Sequence, residues 1–277
     1  MQTFPSWLKT IFVFLLGLEF GSFANVCIYR WPRNSSVVSP RRSFCPWCES
    51  SIAWFDNIPV LSFLILRGRC RSCRSPISVR YPAVELSVAV LWVITYRRLG
   101  PVVSLGDWVF MAAVFTLGFT AIVTTMTDLD WRLIPDESSA LLAFVGLATA
   151  MANPILGDAY LSRLTQSILG LAVGGGTIWM VGFAGERLFG KEAMGGGDVK
   201  LLGAIGTVLG WEAALATLFL GAFTGGVCAV IGLFSGRLKR HQYVPFGPFL
   251  NLASISLMVG LGERLKTIDL LAVRGLM

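Results

Sequence analysis

Gly195-Gly196-Gly197-Asp198, with Lys200 two residues past the acid, is the stretch on which the reading of this chain turns. Three glycines remove side chains from the backbone immediately before a carboxylate. Apolar runs flank it, Leu169 to Phe183 before and Leu201 to Leu209 after. An ionisable group between apolar runs is costly unless it is solvated, paired or working. Glycine admits strained dihedrals and lets a second peptide come close. One reading is a helix-end loop in which Asp198 caps the next helix. The other is a reactive acid beside an open backbone. A second acidic cluster, Asp128-Leu129-Asp130, lies 70 residues upstream and favours the second reading.

The surroundings of both clusters are those of a membrane protein. Of 277 residues, 55% are hydrophobic and the mean hydropathy is +0.69, well above a soluble domain. The expected class is an all-α polytopic membrane protein of about eight helices, some short or broken, with a small cytoplasmic insertion after the first. The spans are read as Trp7 to Ile28, Val84 to Tyr96, Trp108 to Thr127, Ser138 to Met151, Leu164 to Phe183, Leu201 to Leu209, Ala213 to Phe234 and Phe249 to Leu261. Several fall short of the ~20 residues that cross a bilayer, which suits broken or tilted helices around a polar cavity. The first is read as a retained span, because no small-residue cleavage site ends it. Gly21, Ser22 and Ala24 within it suit close helix packing. Glu19 is either a functional acid or, the favoured reading, a group satisfied inside the bundle, and Gly174-Gly175-Gly176 are read as packing or a kink.

Charge gives the topology. Arg30 to Tyr81 carries nine arginines against Glu49 and Asp56, so the chain's whole net charge of +7 sits here. The positive-inside rule makes this insertion cytoplasmic. Its charge is a solvated face near anionic headgroups rather than a nucleic-acid site. Both acidic clusters then fall on the cytoplasmic side and both termini outside. Arg237, Lys239 and Arg240 obey the rule; Arg97 and Arg98 do not. The domains expected are 1–29 as first span, 30–82 as the basic Cys-bearing domain and 83–277 as a seven-helix membrane domain.

Within the insertion, Cys45-Pro46-Trp47-Cys48 and Cys70-Arg71-Ser72-Cys73 are two C-x-x-C pairs, 21 residues apart. Four thiolates suit a tetrahedral structural zinc site with no position left for water. The gap slightly exceeds the usual ~15–20 residues, and redox-active pairs are the alternative. A reducing cytoplasm disfavours disulfides. Cys27 and Cys228 fall in apolar spans and are read as packing residues. His241 is the chain's one histidine, so a His-based triad or His-rich metal site is unavailable.

Two carboxylates from different helices at one membrane depth can face each other. Like charges that close share a proton. The ionised member then activates water while the protonated one donates to a peptide carbonyl, as in aspartic proteases. Gly195, Gly196 and Gly197 would admit an extended substrate backbone. Two unrelated interfacial acids are the alternative, and spacing alone does not separate the two. Lys200 would stabilise charge near Asp198 or anchor at headgroups, the latter favoured. Glu85 would hold a basic substrate segment or complement the dipole of its helix.

Six pieces in order resemble the type IV prepilin peptidases, membrane aspartyl proteases with a GxGD motif. They are Gly21-Ser22-Phe23-Ala24-Asn25-Val26 with Tyr29-Arg30-Trp31-Pro32, the two Cys pairs, Tyr81-Pro82-Ala83-Val84-Glu85-Leu86, Asp128 to Asp136, Met194 to Leu201, and Pro245-Phe246-Gly247-Pro248-Phe249. The resemblance implies an inner-membrane endopeptidase that removes the short basic leader from type IV prepilins or pseudopilins, after a Gly, at the cytoplasmic face. It implies Asp128, seven residues before Pro135, and Asp198 as the catalytic pair, with Asp130 and Asp136 as competitors. It also implies a second activity, methylation of the new N-terminal amine with S-adenosylmethionine, whose site no motif here marks. Protein substrates and lipid are the expected partners, and nucleic acid is not. The alternatives are an intramembrane aspartyl protease of other helices without methyl transfer, and a non-enzymatic proton- or ion-linked carrier.

Overall fold

The computed structural model describes residues 5–40, 42–100, 102, 104–190, 194–237 and 244–273, with side chains for all of these except 189 and 262–273. Lys239, Arg240 and His241, named above, and Arg41, one of the nine arginines of the insertion, lie outside the described residues. Nine α-helices follow in the described residues: α1 (Ser6–Arg30), α2 (Leu61–Ile65), α3 (Arg80–Leu99), α4 (Leu105–Trp131), α5 (Asp136–Thr149), α6 (Tyr160–Phe189), α7 (Gly196–Leu209), α8 (Trp211–Phe234) and α9 (Gly247–Val273). The eight apolar runs became eight helices, and α2 is the addition. No strand forms among the described residues, only isolated bridges. The chain is a polytopic helical membrane protein.

Among the described residues four helices are long and apolar enough to cross a membrane: α1 with the turn Trp31–Arg33 that continues it, α4, α6 and α8. α5 and α7 have 14 residues each. At about 1.5 Å per residue they reach about 21 Å, short of a ~30 Å hydrocarbon layer. Their brevity is matched by burial. Every residue of α7 from Leu201 to Leu209 is buried, so this helix is wrapped by protein.

Two compact units make up the chain, Met1–Arg97 and Arg98–Met277. In the first, α1 and α3 cross on glycine. A Cβ on Gly17 would lie 2.6 Å from Ala89 Cα, and one on Gly21 2.5 Å from Glu85 Cα. The i, i+4 spacing puts both on one face, the small-residue packing expected of Gly21. Buried Arg30 then clips the chain beyond α1, donating to the carbonyls of Ser36, Val37 and Pro40 at 2.9, 3.3 and 3.0 Å.

In the second unit Ser104 and Asp107 open α4 with a reciprocal capping box. α7 packs against α4, α5, α6, α8 and α9. Its contact with α6 is backbone on backbone. A Cβ on Gly170 would strike Gly206 O, one on Gly206 would strike Gly170 O, and one on Gly174 would lie 2.7 Å from Leu202 O. Gly174 and Gly175 are thus packing positions, and α6 runs through them unbroken. The buried C-terminal carbonyls of α7, orphaned by helix geometry, are met from outside. Ser167 donates to Thr207 O and Asn153 to Val208 O, both at 2.7 Å. Because no side chain can yield at the α6–α7 crossing, Gly206→Ala is expected to cost about 1–3 kcal/mol. Gly176 faces open space, and Gly176→Ala is expected to leave the thermal transition in detergent unchanged or slightly raised.

Cys27 is buried as expected, whereas Cys228 is exposed on α8. Glu19 is exposed on α1 rather than satisfied in the bundle.

Candidate active site and metal centre

The last turn of α4 carries Asp128 and the first turn of α7 carries Asp198. Asp198 does not cap α7; Gly195 holds that position and the acid is the third residue of the helix. Both are buried, at 2% and 4% exposure, and they are close enough for their charges to act on one another. The competitors differ: Asp130 and Asp136 are exposed.

Each acid is held by backbone. Gly247 opens α9, and its amide donates to Asp128 Oδ2 at 2.8 Å. First-turn amides lack an intrahelical acceptor and favour an anion. Pro248, at the next position, has no N–H to lose. A Cβ on Gly247 would fall 2.8 Å from that carboxylate oxygen, so only glycine permits the approach. Asp198 receives the Gly195 amide, and its own N–H returns to Gly195 O at 3.1 Å. Asp198 Oδ1 is buried and has no hydrogen-bond partner among the described residues.

Ile134 joins the two acids' neighbourhoods. A Cβ on Gly197 would meet Ile134 Cβ at 2.9 Å, and one on Gly247 would meet Ile134 Cδ1 at 3.3 Å. The open side of Gly197 is therefore filled by Ile134. Gly196 faces open space and stays accessible to a ligand backbone. Lys200 reaches neither acid: it pairs with Asp136 Oδ2 at 2.6 Å, both side chains more than half exposed. Such a pair is worth at most about 1 kcal/mol; it ties the start of α7 to the start of α5.

In the first unit the four cysteines meet, their Sγ atoms all within 4.8 Å of one another. Cys45 and Cys73 are 3.9 Å apart at sulfur, against about 3.8 Å for two corners of a tetrahedron with metal–sulfur bonds of ~2.3 Å. The same knuckle occurs twice. Cys45 N–H donates to Ser50 O and Glu49 N–H to Cys45 O; Cys70 N–H donates to Ser75 O and Arg74 N–H to Cys70 O. Bridges Phe44–Ser51 and Arg69–Pro76 close the two ribbons, and Glu49 and Arg74 take left-handed φ of 57° and 61° at equivalent turns. Burial opposes ionisation of Cys45, but the amides of Trp47 and Cys48 and the Ser75 hydroxyl outweigh it and bring its pKa to about 6. These four residues can hold one metal ion. Asp56 braces the second knuckle, accepting two bonds of 2.6 Å from Arg71, which hold its carboxyl below the usual range.

Glu85 lies in this first unit, buried at 8% exposure on α3. It accepts the Val60 N–H at 2.7 Å and a bond from Ser22. It lines a cavity of about 650 Å³ with Phe44, Trp47 and Phe55.

Residues 15–99 match the family model of the bacterial peptidase A24 N-terminal domain, and 114–230 match that of the type IV leader peptidase family. A prepilin leader peptidase/N-methyltransferase of Aeromonas hydrophila is 37% identical over 92% of this chain and 92% of its own length. This chain belongs to the type IV leader peptidase family. Leader peptidase relatives of the same description occur in Myxococcus xanthus strain DK1622, 37% identical over 87% of this chain and 69% of the relative, and in Klebsiella pneumoniae, 38% identical over 76% and 89%. No solved structure matches this leader peptidase family member.

Reading side-chain chemistry alone missed Gly247 and Ile134, which hold Asp128 and fill Gly197. The available signal was the Gly-Pro step after Pro245-Phe246, where a helix starts with one free amide.

Proposed function

We propose that this chain is a membrane aspartyl endopeptidase that cleaves the basic leader from type IV prepilins or pseudopilins, after a Gly, and then methylates the new N-terminal amine. The observation that carries the peptidase reading is the pair Asp128 and Asp198, buried together from separate helices. Two such carboxyls share one proton. The ionised acid takes a proton from water, whose oxygen attacks the scissile carbonyl carbon. The protonated acid gives its proton to the carbonyl oxygen. Collapse of the tetrahedral species breaks the C–N bond, and the leaving nitrogen takes a proton from the first acid. Gly195 and Gly196 give the substrate backbone room to approach Asp198.

The arginine excess of residues 30–81 supports placing the Cys segment on the cytoplasmic side of the inner membrane, with the acid pair on the same side. Four thiolates without an open position fit structural zinc. S-Adenosylmethionine fits the cavity of the first unit. Its volume suits a cofactor of that size, Phe44, Trp47 and Phe55 offer faces for an adenine, and Glu85 offers a buried carboxyl. When bound, this group supplies an electrophilic methyl.

The test is incubation of the full chain in detergent with a precursor pilin and S-adenosylmethionine, reading cut site and N-terminal mass. A cut after the leader's Gly with one added methyl is expected. An intact precursor would overturn the peptidase reading, and a cut product without the methyl would overturn the second activity.

A further inference from the structure

Glu85 is a carboxylate at 8% exposure with no Lys or Arg paired to it among the described residues. Isolated buried charges are rare unless a ligand or a mechanism uses them. Its partners are neutral donors: the Val60 amide at 2.7 Å and Ser22. An ionised carboxylate has roughly four acceptor sites, so acceptor capacity is left over. Glu19 stands near enough for its charge to act at Glu85. Val60, which donates to it, holds φ at +62°, a conformation costly for a β-branched residue. The strained Val60 and Glu85 both line the cavity. Asp56, also on the cavity wall, is already taken by Arg71.

We propose that Glu85 is the catalytic residue that receives the substrate's new α-ammonium in this cavity and removes its proton before methylation. This rests on the methyl-transfer reading above. An ammonium has no lone pair, so it must lose one proton before its nitrogen can form a bond to carbon. Glu85 accepts the ammonium's hydrogen bond, then its proton; the neutral amine's electron pair would form the N–C bond as the methyl–sulfur bond of the bound sulfonium breaks, that bond's electron pair leaving with the neutral thioether. The proton leaves Glu85 to water. A positioned acceptor of this kind is worth roughly 10²–10⁴ in rate.

The test compares wild type with Glu85→Gln, which keeps an acceptor for Val60. Metal content and thermal transition serve as fold controls. The rate of methyl addition to cleaved pilin is expected to fall about 100-fold or more. Without cofactor, a short peptide carrying the mature N-terminus with a free α-amine should bind wild type about tenfold more tightly than its N-acetylated form. That preference should vanish in Glu85→Gln, and Glu85→Asp should recover part of both. A wild type that methylates alongside a Glu85→Gln of equal rate would overturn the assignment alone. So would parallel loss of cleavage and methylation, which marks a folding role. Wild-type product lacking the methyl would overturn the methylation reading and this assignment with it.

Discussion

Asp128→Asn and Asp198→Asn are each expected to lower leader cleavage by about 10³-fold or more, while the protein accumulates and melts as wild type. That size is the upper range for removing a positioned acid–base group. The substitutions are near-isosteric. Asn at 128 still offers a carbonyl oxygen to the Gly247 amide, and Asn at 198 still offers one to Gly195. What is lost is the proton shared between two carboxyls. Asp130→Asn and Asp136→Asn are the controls, since both acids are exposed; each should cleave within a few-fold of wild type. Densitometry of precursor and mature pilin in detergent reads all four. Retained cleavage in either of the first two removes the assignment.

The second large effect follows metal loss. Elemental analysis of pure protein is expected to give about one zinc per chain, and Cys70→Ser or a strong chelator to remove it. The ribbons are closed by single bridges, and little apolar core lies beneath them. Trp47, Trp54, Leu64 and Ile65 are all more than 60% exposed. Metal binding, worth about 10–16 kcal/mol in zinc-finger peptides, is thus expected to supply folding free energy here. Residues 42–79 should become sensitive to limited proteolysis. Methyl addition should be lost as well, because Cys45 and Cys70 line the cavity that would hold the cofactor. A metal-free protein with an intact, protease-resistant segment would refute the four-thiolate site.

Much of this architecture was legible from residue type. Apolar runs announced eight helices because a span must be hydrophobic along its length. The C-x-x-C pairs announced a cluster because thiolate spacing reflects metal geometry. Helix ends were less legible: α7 starts at Gly196, five residues before its apolar run, since glycines and an acid fill its first turn. Residue type also failed where the backbone is the functional group. Gly247 contributes an amide, and no letter of the sequence marks which amide meets a carboxylate 119 positions away. Lys200 beside Asp198 admits charge stabilisation or, the favoured reading, headgroup anchoring, and residue type does not reveal that it pairs with Asp136. The cavity around Glu85 arises only when α1, α3 and the Cys ribbons pack, and no single segment encodes it.

The enclosure of α7 isolates the body of the helix that carries Asp198 from lipid. With Leu201 to Leu209 touching only protein, the carrier of the second acid has no face on which acyl chains can press. Thickening or thinning the lipid film around the enzyme therefore reaches that carboxyl only second-hand, through the helices packed around α7.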